Sequence, residues 1–131
     1  MNDRYIFRAK RIDNREWLEG YLIIYPSGKC EIHKKADEPP DILAIYEVDP
    51  STICQCTGLK DRNSELIWEN DIVTVPDDEE PCVIEWDENC ARWNMSRCGS
   101  VMCDFDNYWG REIEKIGNIF DTPELCFVWK R

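Results

Sequence analysis

The stretch Glu16-Trp17-Leu18-Glu19-Gly20-Tyr21-Leu22-Ile23-Ile24-Tyr25-Pro26-Ser27-Gly28-Lys29-Cys30-Glu31-Ile32-His33 decides the fold class. Ahead of Pro26 it is dense in aromatic and aliphatic residues, the composition of a strand rather than of a solvated turn. Pro26-Ser27-Gly28 then turns the chain, because proline presets φ and glycine accepts φ > 0, and residues 29–33 alternate apolar with polar side chains. Upstream, Tyr5, Phe7 and Ala9 alternate with Arg8 and Lys10, and Ile12-Asp13-Asn14-Arg15 supplies another turn. A three-stranded meander is the simplest reading.

Downstream, residues 34–41 are polar and carry Pro39-Pro40, neither of which can donate to a sheet ladder, so they form a loop. Ile42-Leu43-Ala44-Ile45-Tyr46-Glu47-Val48 fits either a strand or a short helix. Asp49-Pro50-Ser51-Thr52 breaks the chain and divides it into an N-terminal β meander with its linker, residues 1–52, and a C-terminal part, residues 53–131. There the β pattern resumes at Ile72-Val73-Thr74-Val75, Cys82-Val83-Ile84-Glu85-Trp86, Ala91-Arg92-Trp93-Asn94-Met95, Val101-Met102-Cys103-Asp104-Phe105 and residues 112–120. Five short strands in this span predict a small barrel, which removes sheet edges. Thr122-Pro123-Glu124-Leu125 reads as a helix start, with Thr122 as the cap and Pro123 in the first helical position. The fold class is therefore mainly β, with one or two short helices.

The chain has 131 residues, 16 Lys and Arg against 27 Asp and Glu, one histidine and a net charge of −11. That length suits one domain or two small ones and needs no metal or disulfide for stability. The acidic balance argues against nucleic acid and anionic lipid as partners, since phosphate binding rests on Lys and Arg clusters. The amino terminus reaches no apolar signal core, and the longest apolar run, Tyr21-Leu22-Ile23-Ile24-Tyr25, falls short of the roughly 20 residues of a membrane helix. The expectation is a soluble cytoplasmic protein with no membrane partner. The eight cysteines include no Cys-x-x-Cys pair, and His33 is the sole imidazole, so the spacing predicts free thiols in or near the core. Cys54-Gln55-Cys56 is the pair that could aim two thiols at one strand face.

The segment Val48-Asp49-Pro50-Ser51-Thr52-Ile53-Cys54-Gln55-Cys56-Thr57-Gly58-Leu59-Lys60-Asp61-Arg62-Asn63, followed by Glu69-Asn70-Asp71-Ile72-Val73, resembles the signature of the YopX family of phage and prophage proteins. Ile116-Gly117-Asn118-Ile119-Phe120-Asp121-Thr122-Pro123-Glu124-Leu125 is similar to the family's closing motif, and Ile6-Phe7-Arg8-Ala9 with Trp17 and Gly20-Tyr21-Leu22 to its opening strand pair. The resemblance implies a phage-derived bacterial protein, an SH3-like barrel in the C-terminal part, and no assigned biochemical activity. It singles out Thr57, Gly58, Leu59, Asp61, Asp71, Gly117, Asn118 and Pro123 as motif positions, structural or binding. Two departures stand out: Asn63-Ser64 replaces the family's Asn-Gly, and Glu69-Asn70-Asp71 replaces Glu-Gly-Asp. Each removes the residue that takes φ > 0 without strain, at a cost of about 1 kcal/mol. The family also has Gly-Gln-Tyr where Cys54-Gln55-Cys56 stands, which disconnects those thiols from any family-wide metal or redox role.

The inventory for catalysis is thin. His33 sits beside Lys34 and Lys35 with no nucleophile elbow around any Ser or Cys, and Gly58 ahead of Lys60 lacks the glycine run of a phosphate loop. No enzyme activity and no cofactor are expected. Asp77-Asp78-Glu79-Glu80, bounded by prolines, reads as a solvated turn, and Asp61 and Asp71 read as acceptors in Asx-type turns or as binding groups. Trp68, Trp86, Trp93 and Trp109 serve either as core or as a surface for a protein partner, since their acidic neighbours disfavour nucleic acid. The function these features imply is a non-enzymatic accessory or protein-binding module. The alternative is an acidic decoy that mimics DNA before a host protein. Residues 21–25 carry apolar side chains on both strand faces, so either a homo-oligomer buries them or the chain covers both faces itself.

Overall fold

The computed structural model describes residues 3–40, 42–76, 80–97, 99–106 and 111–127. The protein is mainly β, with antiparallel sheets and one short α-helix among the described residues. It divides into two compact units, Met1–Cys56 and Thr57–Arg131.

In the first unit a 3-10 turn at Asp3–Tyr5 precedes β1 (Phe7–Lys10), β2 (Trp17–Ile24), β3 (Cys30–Lys35) and β4 (Leu43–Val48). A second 3-10 turn, Pro50–Thr52, leads into β5 (Cys54–Lys60). The expected meander is present: β1 pairs β2 from Phe7↔Gly20 to Lys10↔Trp17, and β2 pairs β3 from Tyr21↔His33 to Ile24↔Cys30. The ambiguous segment is a strand. Its side chains alternate in burial and every residue of β4 has a partner on β3, from Cys30↔Val48 to Lys35↔Leu43. Tertiary pairing thus decides between two local conformations that the apolar run alone leaves open.

Arg11 bridges to Val48 and the Asp49 amide donates to the Lys10 carbonyl at 2.8 Å, so the ends of β1 and β4 meet and the sheet curls. Inside the curl Ala9, Cys30, Ile32 and Val48 are buried, with Leu18, Leu22 and Ile53 against them. On β1's other side β5 pairs through Phe7↔Gln55 and Arg8↔Cys54.

The second unit holds the rest of β5, then β6 (Leu66–Trp68), β7 (Asp71–Thr74), β8 (Cys82–Asp87), β9 (Arg92–Arg97), β10 (Ser100–Asp104), β11 (Glu114–Asn118) and α1 (Glu124–Phe127). Five of these form an antiparallel sheet in the order β10-β9-β8-β7-β11. The central strands are buried on both faces. Val73, Cys82, Ile84 and Met95 face one cluster with Ile67, Phe105 and Ile113, while Ile72 and Val83 face Ile119 and Leu125. Leu125, on α1, therefore covers apolar surface that β7 and β8 would otherwise expose.

Among the described cysteines, Cys30, Cys54, Cys56 and Cys82 are buried and not in a disulfide, and Cys103 is half-buried. Cys90 corrects the core expectation: it lies exposed in the β8–β9 turn, where its amide donates to Asp87 Oδ1 at 3.1 Å. Cys54 and Cys56 are both fully buried, two residues apart on one strand. No helix among the described residues is long and apolar enough to cross a membrane.

Candidate functional site

The signature residues occupy the end of β5 and the turn after it. The Thr57 hydroxyl donates to the Ile67 carbonyl at 2.7 Å and accepts from the Leu59 amide at 3.1 Å. That loop back onto the chain requires Gly58 at φ 81°, a conformation costly for a residue with a Cβ. Asp61 follows, 4% exposed, with both carboxylate oxygens engaged. Oδ1 accepts from the Asn63 and Glu65 amides at 2.9 and 3.0 Å, and Oδ2 accepts from the Lys115 amide of β11 at 3.0 Å. One side chain closes its own turn and fastens it to a strand more than fifty residues away.

Asp71 does the corresponding work one turn later. It is fully buried, and its Oδ2 accepts from the Trp68 amide at 2.8 Å. The Lys115 ammonium stands 3.8 Å from the same oxygen and donates to the Leu66 carbonyl at 2.9 Å. Lys115 thus serves both motif aspartates, Asp61 with its backbone and Asp71 with its side chain. Sequence reasoning missed it, because its partners at Asp61, Leu66 and Asp71 lie some fifty residues away and nothing beside it in sequence points to them. The two carboxylates are acceptors spent on the fold.

The closing motif is another closed network. Asn118 Oδ1 accepts from the amides of Phe120 and Asp121, both at 2.9 Å, and its Nδ2 donates to Asp121 Oδ2 at 3.1 Å. The Thr122 hydroxyl accepts from the Asn118 amide at 3.1 Å and donates to the Asn118 carbonyl at 2.9 Å. Its expected role as helix cap is therefore corrected, because the hydroxyl is already occupied; Leu125 bonds the Thr122 carbonyl instead, at 3.1 Å. A Cβ on Gly117 would collide with Thr122 Oγ1, which explains the glycine by close approach. Pro123 is exposed and directly precedes α1.

An open groove of about 550 Å³ lies over the first of these turns, lined by Gly58, Leu59, Lys60, Asp61, Arg62, Ser64 and Arg111. Three cations flank it in a chain of net charge −11. Arg62 is paired to Glu114 at 2.8 Å, while Lys60 and Arg111 make no ion pair among the described residues.

The three described tryptophans of this set are divided between interior and surface. Trp68 is 2% exposed and belongs to the interior, Trp93 packs against the core cluster, and Trp109 lies outside the described residues. Trp86 remains, 41% exposed and set edge-on to Trp93 with ring centroids 5.1 Å apart. The acidic run through Asp77, Asp78 and Glu79 also lies outside the described residues.

A larger apolar surface lies on the first unit. Register places Tyr21, His33 and Ile45 in one row across β2, β3 and β4, with Ile23 and Leu43 in adjacent rows. Tyr21, Ile23, Leu43 and Ile45 are all exposed. At the end of this face Glu31 accepts from Tyr25 Oη at 2.7 Å and meets His33 Nε2 at 3.1 Å and Lys29 Nζ at 3.4 Å. The Tyr25 hydrogen bond, then the one from His33, hold the Glu31 carboxyl below its usual value, and the same carboxylate raises Tyr25.

The sequence profile of the family described as YopX protein matches residues 6–126. The chain belongs to the YopX family. The match takes in the opening strands, the signature around Asp61 and Asp71, and the closing motif, so in this YopX chain it spans most of both units. No curated protein matches it. The motif residues that the resemblance singles out in this YopX chain fall into two turn networks joined through β11, and those with engaged side chains bond the chain's own backbone, with the side chains of Lys115 and Asp121 added at Asp71 and Asn118.

Proposed function

We propose that this YopX-family protein is a non-enzymatic accessory protein of phage or prophage origin that acts in the cytoplasm by binding protein, beginning with a second copy of itself. The observation that carries the reading is the outer face of β2, β3 and β4, where Tyr21, Ile23, Leu43 and Ile45 remain between 39% and 53% exposed. On β3 the same face carries Glu31, His33 and Lys35, so the apolar side chains stand in two strips beside polar ones, the mixed character of a protein-binding surface. Among the described residues, β4 pairs with β3, and its last two residues also meet the β1–β2 turn, through the Arg11↔Val48 bridge and the Ile12 amide on the Glu47 carbonyl at 3.2 Å, so the unpaired backbone on its outer edge lies ahead of Glu47. Two such edges joined antiparallel about a twofold axis complete each other's ladders and extend the apolar rows of both copies. The second unit is read as the SH3-like barrel of the family, supported by its five-stranded antiparallel sheet in which β11 returns to pair with β7.

Light scattering combined with size-exclusion chromatography tests the reading. The wild type is expected to run above the 15.5 kDa of one chain. Ile45→Lys, at an exposed position, is expected to yield monomers with an unchanged melting temperature. A wild type that stays monomeric at high concentration sinks the self-association.

A further inference from the structure

We propose that the groove over the signature turn binds a phosphate dianion through Lys60, Arg62 and Arg111. Three observations converge on it. The groove's volume, about 550 Å³, falls within the usual range for a small-molecule site, about 300–1,000 Å³. Its charged rim is cationic although the chain carries eleven net negative charges. The acid among its described lining residues, Asp61, is turned into its own turn, 4% exposed, with its oxygens holding the amides of Asn63, Glu65 and Lys115.

The same hydrogen bonds preorganise the cations. Lys60 and Arg62 flank Asp61 in sequence, and the Arg62 amide donates to the Ile113 carbonyl at 2.9 Å, two residues beyond Arg111. The turn that carries Lys60 and Arg62 is thus tied to the segment that follows Arg111 before any ligand arrives, which lowers the ordering cost of binding. Two guanidinium forks match phosphate oxygens in pairs, and a lysine adds a point charge. Ser64, also on the groove wall, brings a hydroxyl donor.

The surroundings select a compact ligand. A nucleic acid strand extending past the groove would meet the field of an acidic protein, and the described lining offers no aromatic ring for a base to stack on. A phosphate monoester concentrates its charge on a group small enough for the groove that the three cations line. It can come from a free phosphorylated metabolite or from a phosphorylated side chain of a protein.

Amide chemical shifts of the ¹⁵N-labelled full chain, followed during titration with inorganic phosphate at constant ionic strength, test the site. Saturable shifts are expected at residues 58–64 and at Arg111. Half-saturation should rise about tenfold or more in Lys60→Gln/Arg111→Gln, the equivalent of ~1.4 kcal/mol. Both side chains are exposed, so the fold should persist, with unchanged shifts at Asn118 and Thr122 as the check. Glu114→Gln frees Arg62 from its partner and is expected to tighten binding about two- to fivefold, the scale of an exposed ion pair.

Glycerol phosphate and a phosphoserine peptide then separate the two sources, the tighter one naming the ligand. Absence of saturation, shifts unaffected by the double variant, or equal binding of succinate would overturn the proposal. So would a single-stranded oligonucleotide that binds more tightly than either phosphate monoester and is lost in the same variant.

Discussion

Ser64 and Asn70 hold φ values of 66° and 70°, and these are the two places where the sequence lacks the glycine that its family resemblance leads one to expect. The left-handed conformation is retained at both turns, so the neighbouring hydrogen bonds dominate the local preference. At Ser64 the amide donates to the Asp61 carbonyl at 3.0 Å; at Asn70 the amide donates to the Ile84 carbonyl at 2.8 Å. Asparagine tolerates this region better than serine does. Ser64→Gly should therefore stabilise the protein by about 0.5–1 kcal/mol and Asn70→Gly by less, measured as shifts in the urea midpoint. The reverse order would show that strain is not what limits these turns. Asp61→Ala, which strips an acceptor from three amides, should cost about 3 kcal/mol in the same assay. A loss below about 1 kcal/mol would mean that water replaces the carboxylate without penalty.

At the scale of elements, β11 and the turn after it are held by a contact that substitutions can separate into parts. Gly117→Ala drives a methyl group into Thr122 Oγ1 and should destabilise by about 2–3 kcal/mol. Thr122→Ala removes the obstacle but also the hydroxyl that both donates to and accepts from Asn118. The double variant should therefore cost less than the two single losses added together, since the clash disappears from it; additivity would place the glycine's importance elsewhere. The strands themselves were legible because their periods and turns are local: Pro26-Ser27-Gly28 marks the bend between β2 and β3, and alternation marks β3. Residues 42–48 were not, since a short apolar run acquires its conformation from the β3 ladder. The candidate site divides along the same line. Asp61 and Asp71 were visible as turn acceptors, whereas Lys115, which joins them, and Arg111, which completes the groove, depend on contacts across the sheet.

For the whole molecule, Glu31 is one of the carboxylates through which acid should act. Its carboxyl is held below the ordinary value of 4.5 by Tyr25 and His33, so the folded state binds fewer protons there than the unfolded chain. That contribution to stability is complete above the ordinary value and disappears as pH falls through the lower folded value. Glu31→Gln should flatten the stability profile across this acid limb and leave its shape near neutrality unchanged, read from urea midpoints between those extremes. A profile of unaltered slope would remove Glu31 from the account. Timed alkylation followed by peptide mass spectrometry should modify Cys90 before Cys103, and Cys54 and Cys56 last, following their burial. Early labelling of Cys54 would indicate that the first unit opens locally without unfolding.

The order β10-β9-β8-β7-β11 also sets a schedule for synthesis. The first unit grows by neighbouring hairpins, each completed shortly after its residues leave the ribosome, since β1, β2, β3 and β4 pair in sequence. The second cannot finish in that way. Asp61 and Asp71 emerge early and wait through β8, β9 and β10 for Lys115, and until it arrives one carboxylate lacks an amide donor and the other its ammonium. The nascent second half therefore stays open until β11 docks, and its last strand acts as the latch that commits the chain.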